Sequence, residues 1–375
     1  MEQRTTAIIL IVIIVVGVGA VVFLGPSLFP APPRVALILG TGGRGDLSFN
    51  DASYAGAMNA RNELGWNFDV AEPDQIAEFE GLLRDYAAAG TYDVIISGSF
   101  DQADALALVA ADFPNQTFAI VDNVVVAPNV RSCVFTENEG SALVGALAGL
   151  MTQTGHVGFV GGEDMWLIHR FAAGYVWGAN YTNPGVNFTV QYTGSWIDTA
   201  IGQNLGDAMF TAGADIIYTA AGRSGLGAWT SARNRITGAT NTTPLWMIGV
   251  DSPMMWYGCD TYDQGPGYAH TAPTFGLTSM LKRVDSAVFE VIEDVMNGDL
   301  DSTTGSIFAY NLENGGHDWE INGYIPYSNV TDVYTLTEYD SPLLTLSQSI
   351  VDTIQDLKAD IIAGTVTVPD TIYWT

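Results

Sequence analysis

Basic residues are scarce in this chain of 375 residues. Lysine and arginine together number 13 against 41 aspartate and glutamate residues, and the formal net charge is -28. Such a charge repels phosphate backbones, so the composition argues against nucleic acid as a partner. Only two lysines occur, Lys282 and Lys358. Because Lys282 lies within an apolar, helix-like pattern, we consider it a candidate ligand contact, with a simple salt bridge as the alternative.

Cysteine is also rare, and the motifs of several enzyme classes are missing. Cys133 and Cys259 are too few for a disulfide-rich scaffold or a four-thiolate zinc site. We interpret them as two separate buried thiols, with one bridge as the alternative. The four histidines form no H-E-x-x-H or H-x-x-H pair, and the chain has no P-loop or G-x-S-x-G elbow. We therefore expect no cofactor, no metal and no catalysis.

The N-terminus contains a long uncharged apolar segment, residues 5–24. At about 1.5 Å per residue such a helix crosses the hydrocarbon core of a bilayer. Arg4 precedes it, which predicts that the remainder of the chain is exported. We expect residues 1–24 to anchor the protein in the lipid bilayer, with a cleavable signal peptide as the alternative. Residues 25–34 are rich in proline and predict a stiff spacer.

An exported chain also exposes its Asn-x-Ser/Thr triplets to glycosylation. Five such triplets are candidates: Asn115, Asn180, Asn187, Asn241 and Asn329.

Beyond the spacer, short apolar runs alternate with segments of helical spacing, beginning with a strand at 34–39 and a helix at 50–64. Further strands are predicted at 93–97, 118–122, 130–135, 156–160, 187–192, 215–219 and 245–250, and further helices at 103–112, 140–151, 168–181, 199–212, 225–235 and 275–296. This alternation predicts right-handed βαβ units and parallel sheets. Because there are too many strands for one compact sheet, we predict an α/β protein with two doubly wound lobes.

Ligands of such sheets bind beyond the carboxyl ends of the strands. The residues that follow the predicted strands include several carboxylates next to glycines, amides or aromatic rings, such as Asp46, Asp122 and Asp251. Carboxylates accept hydrogen bonds from hydroxyl or ring N–H groups, and aromatic rings stack on flat rings or sugar faces. The combination favours a neutral, hydroxyl-bearing ligand with a ring, such as a sugar or a nucleoside. Helix capping is the alternative role for any single aspartate.

One motif points elsewhere. Residues 40–45 read G-T-G-G-R-G and match the dinucleotide fingerprint G-x-G-x-x-G. That fingerprint requires a helix that opens within the motif, whereas the next helix is predicted to begin only near Asn50. We therefore disfavour a dinucleotide site.

Several stretches together resemble a known family. They include VALILGTGGRGDLSFND (35–51), GHVGFVGGEDMWLIHRFAAGYVWGANYTNP (155–184), GADIIYTAAGRSGLGAW (213–229) and LTSMLKRVDSAVFEVI (277–292). They resemble the basic membrane protein family of ABC-transporter substrate-binding proteins, whose best-known members are purine nucleoside receptors. The resemblance extends over roughly residues 35–370. Two departures are the missing lipobox cysteine, which the anchor would replace, and Arg223, where a small or polar residue is more usual.

The resemblance implies a type I periplasmic-binding-protein fold, with two α/β lobes joined by three crossover strands. The crossings are expected near residues 130–135, 270–275 and 306–314. The N-terminal lobe then contains residues 35–133 plus 272–310, and the C-terminal lobe contains residues 134–271 plus 311–375.

The resemblance also implies how a base is held. Phe49 and Phe171 are expected to sandwich the base, although a core position is the alternative for Phe171. Asp46, Asn50 and Asp122 are expected to supply polar contacts at or near the base edge.

The remaining expected site residues lie around the sugar. Gly222 is expected to let the backbone approach the ligand. Asp251 and Lys282 are expected to hold the ribose hydroxyls.

The sequence thus predicts a receptor on the outer face of the cell membrane that captures a nucleoside and delivers it to an ABC permease, without chemistry on the ligand. One alternative is a surface signalling or structural protein that reuses this fold with a different small ligand. Another is an α/β hydrolase or dehydrogenase.

Overall fold

The computed structural model describes residues 34–238, 243–264, 274–300, 304–313, 323–324 and 346–371. The described residues all belong to one compact unit of the chain. The expected anchor at 5–24 and the spacer up to residue 33 lie outside the described residues. Within the described ranges, no helix has the length and apolar character that crossing a membrane requires.

The first sheet contains six strands, all parallel. They are β1 (Arg34–Ile38), β2 (Asn67–Ala71), β3 (Val94–Ser97), β4 (Phe118–Val121), β5 (Val130–Phe135) and β11 (Ile307–Tyr310), in the order β11-β5-β4-β3-β1-β2. The central strands β1, β3 and β4 are apolar along nearly their whole length because helices cover both faces of the sheet. Those helices are α1 (Phe49–Leu64) and α8 (Val284–Asn297) on one face, and α2 (Phe79–Ala89) and α3 (Ala103–Asp112) on the other.

The second sheet also has six strands. They are β6 (His156–Gly161), β7 (Asn187–Tyr192), β8 (Ile216–Ala220), β9 (Trp246–Asp251), β10 (Gly276–Leu281) and β12 (Gly323–Tyr324), in the order β12-β10-β9-β8-β6-β7. All neighbours are parallel except β10 and β12. One face packs against α4 (Glu137–Met151), α5 (Trp166–Thr182) and α9 (Gln348–Ile362), and the other against α6 (Thr199–Thr211) and α7 (Gly222–Gly238). The α/β class with two largely parallel sheets is confirmed.

The helix predicted at 275–296 is wrong over its first part. Residues 276–281 form β10, every residue of which is buried, and the helix begins only at Val284. A continuous apolar run carries no period, so it does not distinguish a fully buried strand from a buried helix. Lys282 consequently lies in the connection between β10 and α8 rather than within a helix.

The chain passes between the two sheets three times, after β5, after β10 and after β11. The second passage lies at residues 282–283, not near 270–275. The predicted lobe boundary at residue 272 therefore does not fit the strand pairing, because β10 pairs with β9 in the second sheet. The predicted elements do not include β2, whose side chains are exposed or half-buried, or α2, whose buried residues Phe79, Leu83 and Ala87 do recur at helical spacing. Cys133 and Cys259 are both buried and free, as expected.

Helices α4 and α5 pack unusually closely because glycines lie at their contact. The glycines that face the neighbouring helix are Gly145, Gly149, Gly174 and Gly178. A Cβ atom on Gly178 would come within 2.0 Å of the Ala142 carbonyl oxygen, and one on Gly145 within 2.1 Å of the Tyr175 carbonyl oxygen. The backbones therefore touch directly, and this contact fixes the start of α4 and α5 beside the cleft described below.

We expect Gly178→Ala to lower the free energy of unfolding by about 1–3 kcal/mol, because the added methyl group forces the two helices apart. Gly81→Ala is the matched control, since a Cβ atom on this α2 glycine meets nothing within 4 Å. That variant should gain about 0.5–1 kcal/mol from helix propensity alone. Urea unfolding of both variants measures the difference, and equal shifts in the two would contradict the close packing.

Candidate functional site

A cleft lies between the carboxyl ends of the two sheets. It contains about 640 Å³ of space between atoms, part of it open to solvent. Its lining comes from the segments that follow β1, β3, β4 and β6 to β10. All eight residues implied by the family resemblance line it: Asp46, Phe49, Asn50, Asp122, Phe171, Gly222, Asp251 and Lys282.

A buried ammonium lies at the inner wall of the cleft. The Lys282 Nζ atom is 2.5 Å from Asp122 Oδ2 and 3.0 Å from Glu137 Oε1. All three side chains are at most 2% exposed. Burial alone would lower the pKa of Lys282, but the negative charges of Asp122, Glu137 and Asp251 outweigh it and raise that pKa above its ordinary value. Lys282 therefore carries a positive charge in the cleft.

Glu137 was not expected from the sequence. It is the first residue of α4, follows the crossover from β5, and also lies 3.2 Å from Arg170 Nη1. In the sequence, Glu137 is simply an acidic residue that follows a predicted crossover strand. Acidic residues are also common in the exposed first turn of a helix, so its position does not reveal a buried ion pair with Lys282.

Asp122 and Asp251 have the same unusual conformation at corresponding positions. Asp122 directly follows β4 and Asp251 is the last residue of β9, with φ of 67° and 63° respectively. The left-handed region costs a non-glycine residue energy and is concentrated at functional sites. Here it turns both carboxylates into the cleft, one from each sheet.

Each of these carboxylates has one oxygen engaged and one without a partner. Asp122 Oδ2 accepts from Lys282, and Asp251 Oδ2 accepts from the Ser48 hydroxyl of the opposite lobe. Asp122 Oδ1 and Asp251 Oδ1 are buried with no hydrogen-bond partner among the described residues. Burial raises the pKa of Asp251 to about 7 and that of Asp122 to about 6, against the opposing effect of Lys282. An unpaired buried acceptor costs free energy that a donating ligand recovers.

Three phenyl rings lie near the ammonium: Phe135, whose centroid is 5.0 Å from Lys282 Nζ, and Phe49 and Phe171, which line the cleft. The ring centroids of Phe49 and Phe171 lie 5.5 Å and 5.2 Å from Lys282 Nζ. Phe171 is 3% exposed and also packs in the core of the second lobe, so it has both the expected role as a cleft residue and the alternative core position. The rings therefore present apolar faces next to the charged group.

Asp46 and Asn50 line the cleft, but their polar atoms are largely used within the protein. Asp46 accepts from the backbone N–H groups of Ser48 (3.0 Å), Asn50 (2.9 Å) and Asp51 (3.2 Å), and from the Asn50 amide (3.1 Å). Asn50 Oδ1 accepts from Gly40 N at 2.9 Å. Asp46 thus has the capping role that we considered as an alternative, and Asn50 keeps one amide hydrogen for a ligand.

Gly222 begins α7 with φ of 53°. A Cβ atom there would lie 3.3 Å from the Trp196 carbonyl oxygen, so the close approach that this glycine permits is to the protein's own chain. The indole of Trp196 lies on Gly162 and contacts the Phe100 ring edge-on at 6.1 Å between centroids. Neither Phe100 nor Trp196 was among the expected site residues, yet together they close one part of the cleft across the two lobes.

The lobes also touch through Arg223. Its Nη2 atom donates to the carbonyl oxygens of Gly42 (3.0 Å) and Arg44 (2.7 Å) in the opposite lobe. No group of three His, Cys, Asp or Glu side chains in the described part of the chain is placed to hold a metal ion.

Comparisons with known proteins agree with this architecture. The family model described as ABC transporter substrate-binding protein PnrA-like (Bmp) matches residues 34–323. The chain is 31% identical over 346 residues to the CD4+ T-cell-stimulating antigen of Listeria monocytogenes, covering 90% of this chain and 88% of that protein. It is 28% identical over 341 residues to the ABC transporter nucleoside-binding protein BmpA of Lactococcus lactis subsp. cremoris, covering 90% and 89%.

Among solved structures, a solute-binding protein of an ABC transporter system from Aeropyrum pernix K1 superposes with a TM-score of 0.75 at 28% identity, covering 90% of this chain and 94% of that one. The family resemblance inferred from the sequence is therefore confirmed. The chain belongs to the Bmp family of PnrA-like ABC transporter substrate-binding proteins.

Proposed function

We propose that this protein is the nucleoside receptor of an ABC uptake transporter, with a type I periplasmic-binding-protein fold that closes on its ligand. The observation that carries the proposal is the pair of buried, unpartnered carboxylate oxygens, Asp122 Oδ1 and Asp251 Oδ1, beside the Lys282 ammonium and two phenyl rings. Two adjacent hydroxyl groups of a ribose supply the missing donors, and Lys282 donates to a hydroxyl oxygen. This proposal assigns Asp122 to the sugar, whereas the family resemblance implied a contact at or near the base edge. Phe49 and Phe171 then offer apolar faces to a flat base.

The charge of the cleft favours a nucleoside over a nucleotide. Asp101, Asp122 and Asp251 each present a buried oxygen without a partner, while the nearby ammonium already contacts two carboxylates. The negatively charged phosphate group of a nucleotide would lie close to these carboxylates, and the cleft has too few hydrogen-bond donors to compensate. Like charges at close range repel each other. A neutral ligand rich in O–H and N–H groups matches the cleft. The Lactococcus lactis relative is named a nucleoside-binding protein, which supports the same ligand class.

The mechanism is closure without chemistry on the ligand. Asp122 and Phe49 come from the first lobe, and Asp251 and Phe171 from the second, so one ligand contacts both. A ligand that contacts both lobes stabilises the closed arrangement over an open one and shifts the equilibrium between them. The loaded receptor then docks on a membrane permease. In this proposal residues 5–24 hold the protein at the outer face of the membrane. Within the cleft, Asp46 and Gly222 stabilise its walls and make fewer contacts with the ligand than Asp122 and Asp251 do.

Isothermal titration calorimetry of the full chain in detergent with guanosine, inosine and adenosine tests the proposal. We expect saturable binding of at least one nucleoside and much weaker binding of the matching 5′-monophosphate. Binding of a sugar or another small solute in place of every nucleoside would contradict the nucleoside assignment. Turnover of the nucleoside during the titration would contradict the absence of catalysis.

We expect Asp251→Asn to weaken nucleoside binding by about tenfold to a hundredfold, because a hydrogen bond to a charged acceptor contributes about 1.5–3 kcal/mol. Asp260→Asn removes the same charge from an exposed position outside the cleft and should bind as the unmodified protein does. Calorimetry measures both dissociation constants. Equal affinities for the two variants would remove Asp251 from the site.

The raised pKa of Asp251 also predicts the pH dependence of binding. The ionised carboxylate is the better acceptor, and burial raises its pKa to about 7. Below pH 7 binding must therefore release a proton from Asp251. The dissociation constant should fall as the pH rises and level off above about pH 8. For each proton released, it should change by at most about tenfold per pH unit. In Asp251→Asn the change should shrink and move toward the pKa of Asp122, about 6. An affinity that falls with rising pH would contradict this assignment.

A further inference from the structure

A third unpartnered carboxylate lies in the cleft away from the Lys282 ion pairs. Asp101 belongs to a short 3-10 helix, Phe100–Gln102, that follows β3. Its Oδ1 atom is buried and has no hydrogen-bond partner among the described residues, and the residue lines the cleft. The mechanism above assigns the ribose hydroxyls to Asp122 and Asp251, which leaves this acceptor without a role.

The turn that carries Asp101 is held firmly on each side. The Gln102 amide donates to the carbonyl oxygens of Ile38 (2.9 Å) and Leu39 (3.1 Å), which fixes the turn to the end of β1. The Asn123 amide donates to the Phe100 carbonyl oxygen at 2.9 Å. The Phe100 ring meets Trp196 across the cleft. Asp101 is thus a preorganised acceptor on a rigid wall, rather than a mobile surface carboxylate.

Ser99, two residues before Asp101, lies beside Asn50 in the lining of the cleft. A Cβ atom on Gly40 would be 2.8 Å from Ser99 Oγ and 3.4 Å from Asn50 Oδ1, so Ser99 and Asn50 flank the same glycine. A hydrogen bond from Ser99 to the Asp101 carboxylate favours its ionised form, although burial raises its pKa. The lining of the cleft therefore offers a carboxylate acceptor at Asp101 and one amide N–H donor at Asn50.

We propose that Asp101 is a specificity-determining residue that accepts hydrogen bonds from the N–H groups on the edge of a 6-oxopurine base. This inference rests on the proposed nucleoside function. Guanine presents N1–H and a 2-amino group side by side, so one carboxylate accepts two donors, while the 6-oxo group accepts from an amide. Hypoxanthine presents N1–H alone. Adenine has a lone pair at N1 that repels the carboxylate, so the order of affinity is guanosine, then inosine, then adenosine.

Calorimetry of the full chain with these three nucleosides tests the assignment in Asp101→Asn. We expect guanosine affinity to fall by about tenfold or more, since a bidentate contact to a base contributes about 1–3 kcal/mol of discrimination. Adenosine affinity should change by less than about threefold, so the ratio of the two affinities falls. Asp104→Asn removes the same charge three residues further along, from an exposed position outside the cleft, and should leave the ratio unchanged.

Thermal unfolding monitored by circular dichroism establishes that Asp101→Asn is folded, and Asp101→Glu, which keeps the acceptor, should retain the preference for guanosine over adenosine. If the unmodified protein binds nucleosides and Asp101→Asn weakens all three equally, or none of them, the role of Asp101 is overturned while the nucleoside function stands. If the unmodified protein binds no nucleoside, both the function and this inference are overturned.

Discussion

The site depends on one buried ammonium and the carboxylates around it. Lys282 joins the last parallel strand of the second sheet to a helix of the first lobe, Asp122 follows a strand of the first sheet, and Glu137 begins a helix of the second lobe. Moving these charges out of water is costly, and each is tolerated only because the others are present. The ion pairs therefore lie at the passages between the lobes and hold the groups that face the cleft.

Around this charged centre the protein keeps acceptors ready without satisfying them. The left-handed conformations of Asp122 and Asp251 are an energetic cost that the surrounding sheets sustain. The buried, unpartnered oxygens of these two carboxylates are a further energetic cost. A ligand that donates to both sites recovers part of that cost, and a ligand without donors does not. In the proposed function the cleft discriminates by hydrogen-bond chemistry, while the phenyl rings of Phe49 and Phe171 contribute contact area.

The alternation of strands and helices was predictable because helices cover both faces of each sheet, which makes the central strands conspicuously apolar. Residues 276–281 fit a helix as well as a strand, because a fully buried strand has no period. The residues gathered in the cleft were predictable from the family resemblance, since their motifs follow the strand ends. Glu137, Asp101 and Trp196 were not, because their roles arise from contacts between segments far apart in the chain.

Some expected roles changed once the contacts were known. Asp46 lies in the cleft, yet four donors of the protein itself occupy its oxygens, so its charge stabilises the start of α1. Gly222 accommodates the Trp196 backbone. Asp46 and Gly222 both still line the cleft. Polar residues and glycines after predicted strands therefore locate the site, but they do not tell which atoms contact a ligand.

The most direct test of the account is a crystal structure of the protein with guanosine. We expect the ribose hydroxyls within hydrogen-bonding distance of Asp122 Oδ1 and Asp251 Oδ1, with the base between Phe49 and Phe171. A nucleoside bound elsewhere, or a cleft in which these two oxygens stay unpartnered while the ligand is present, would contradict the central claim.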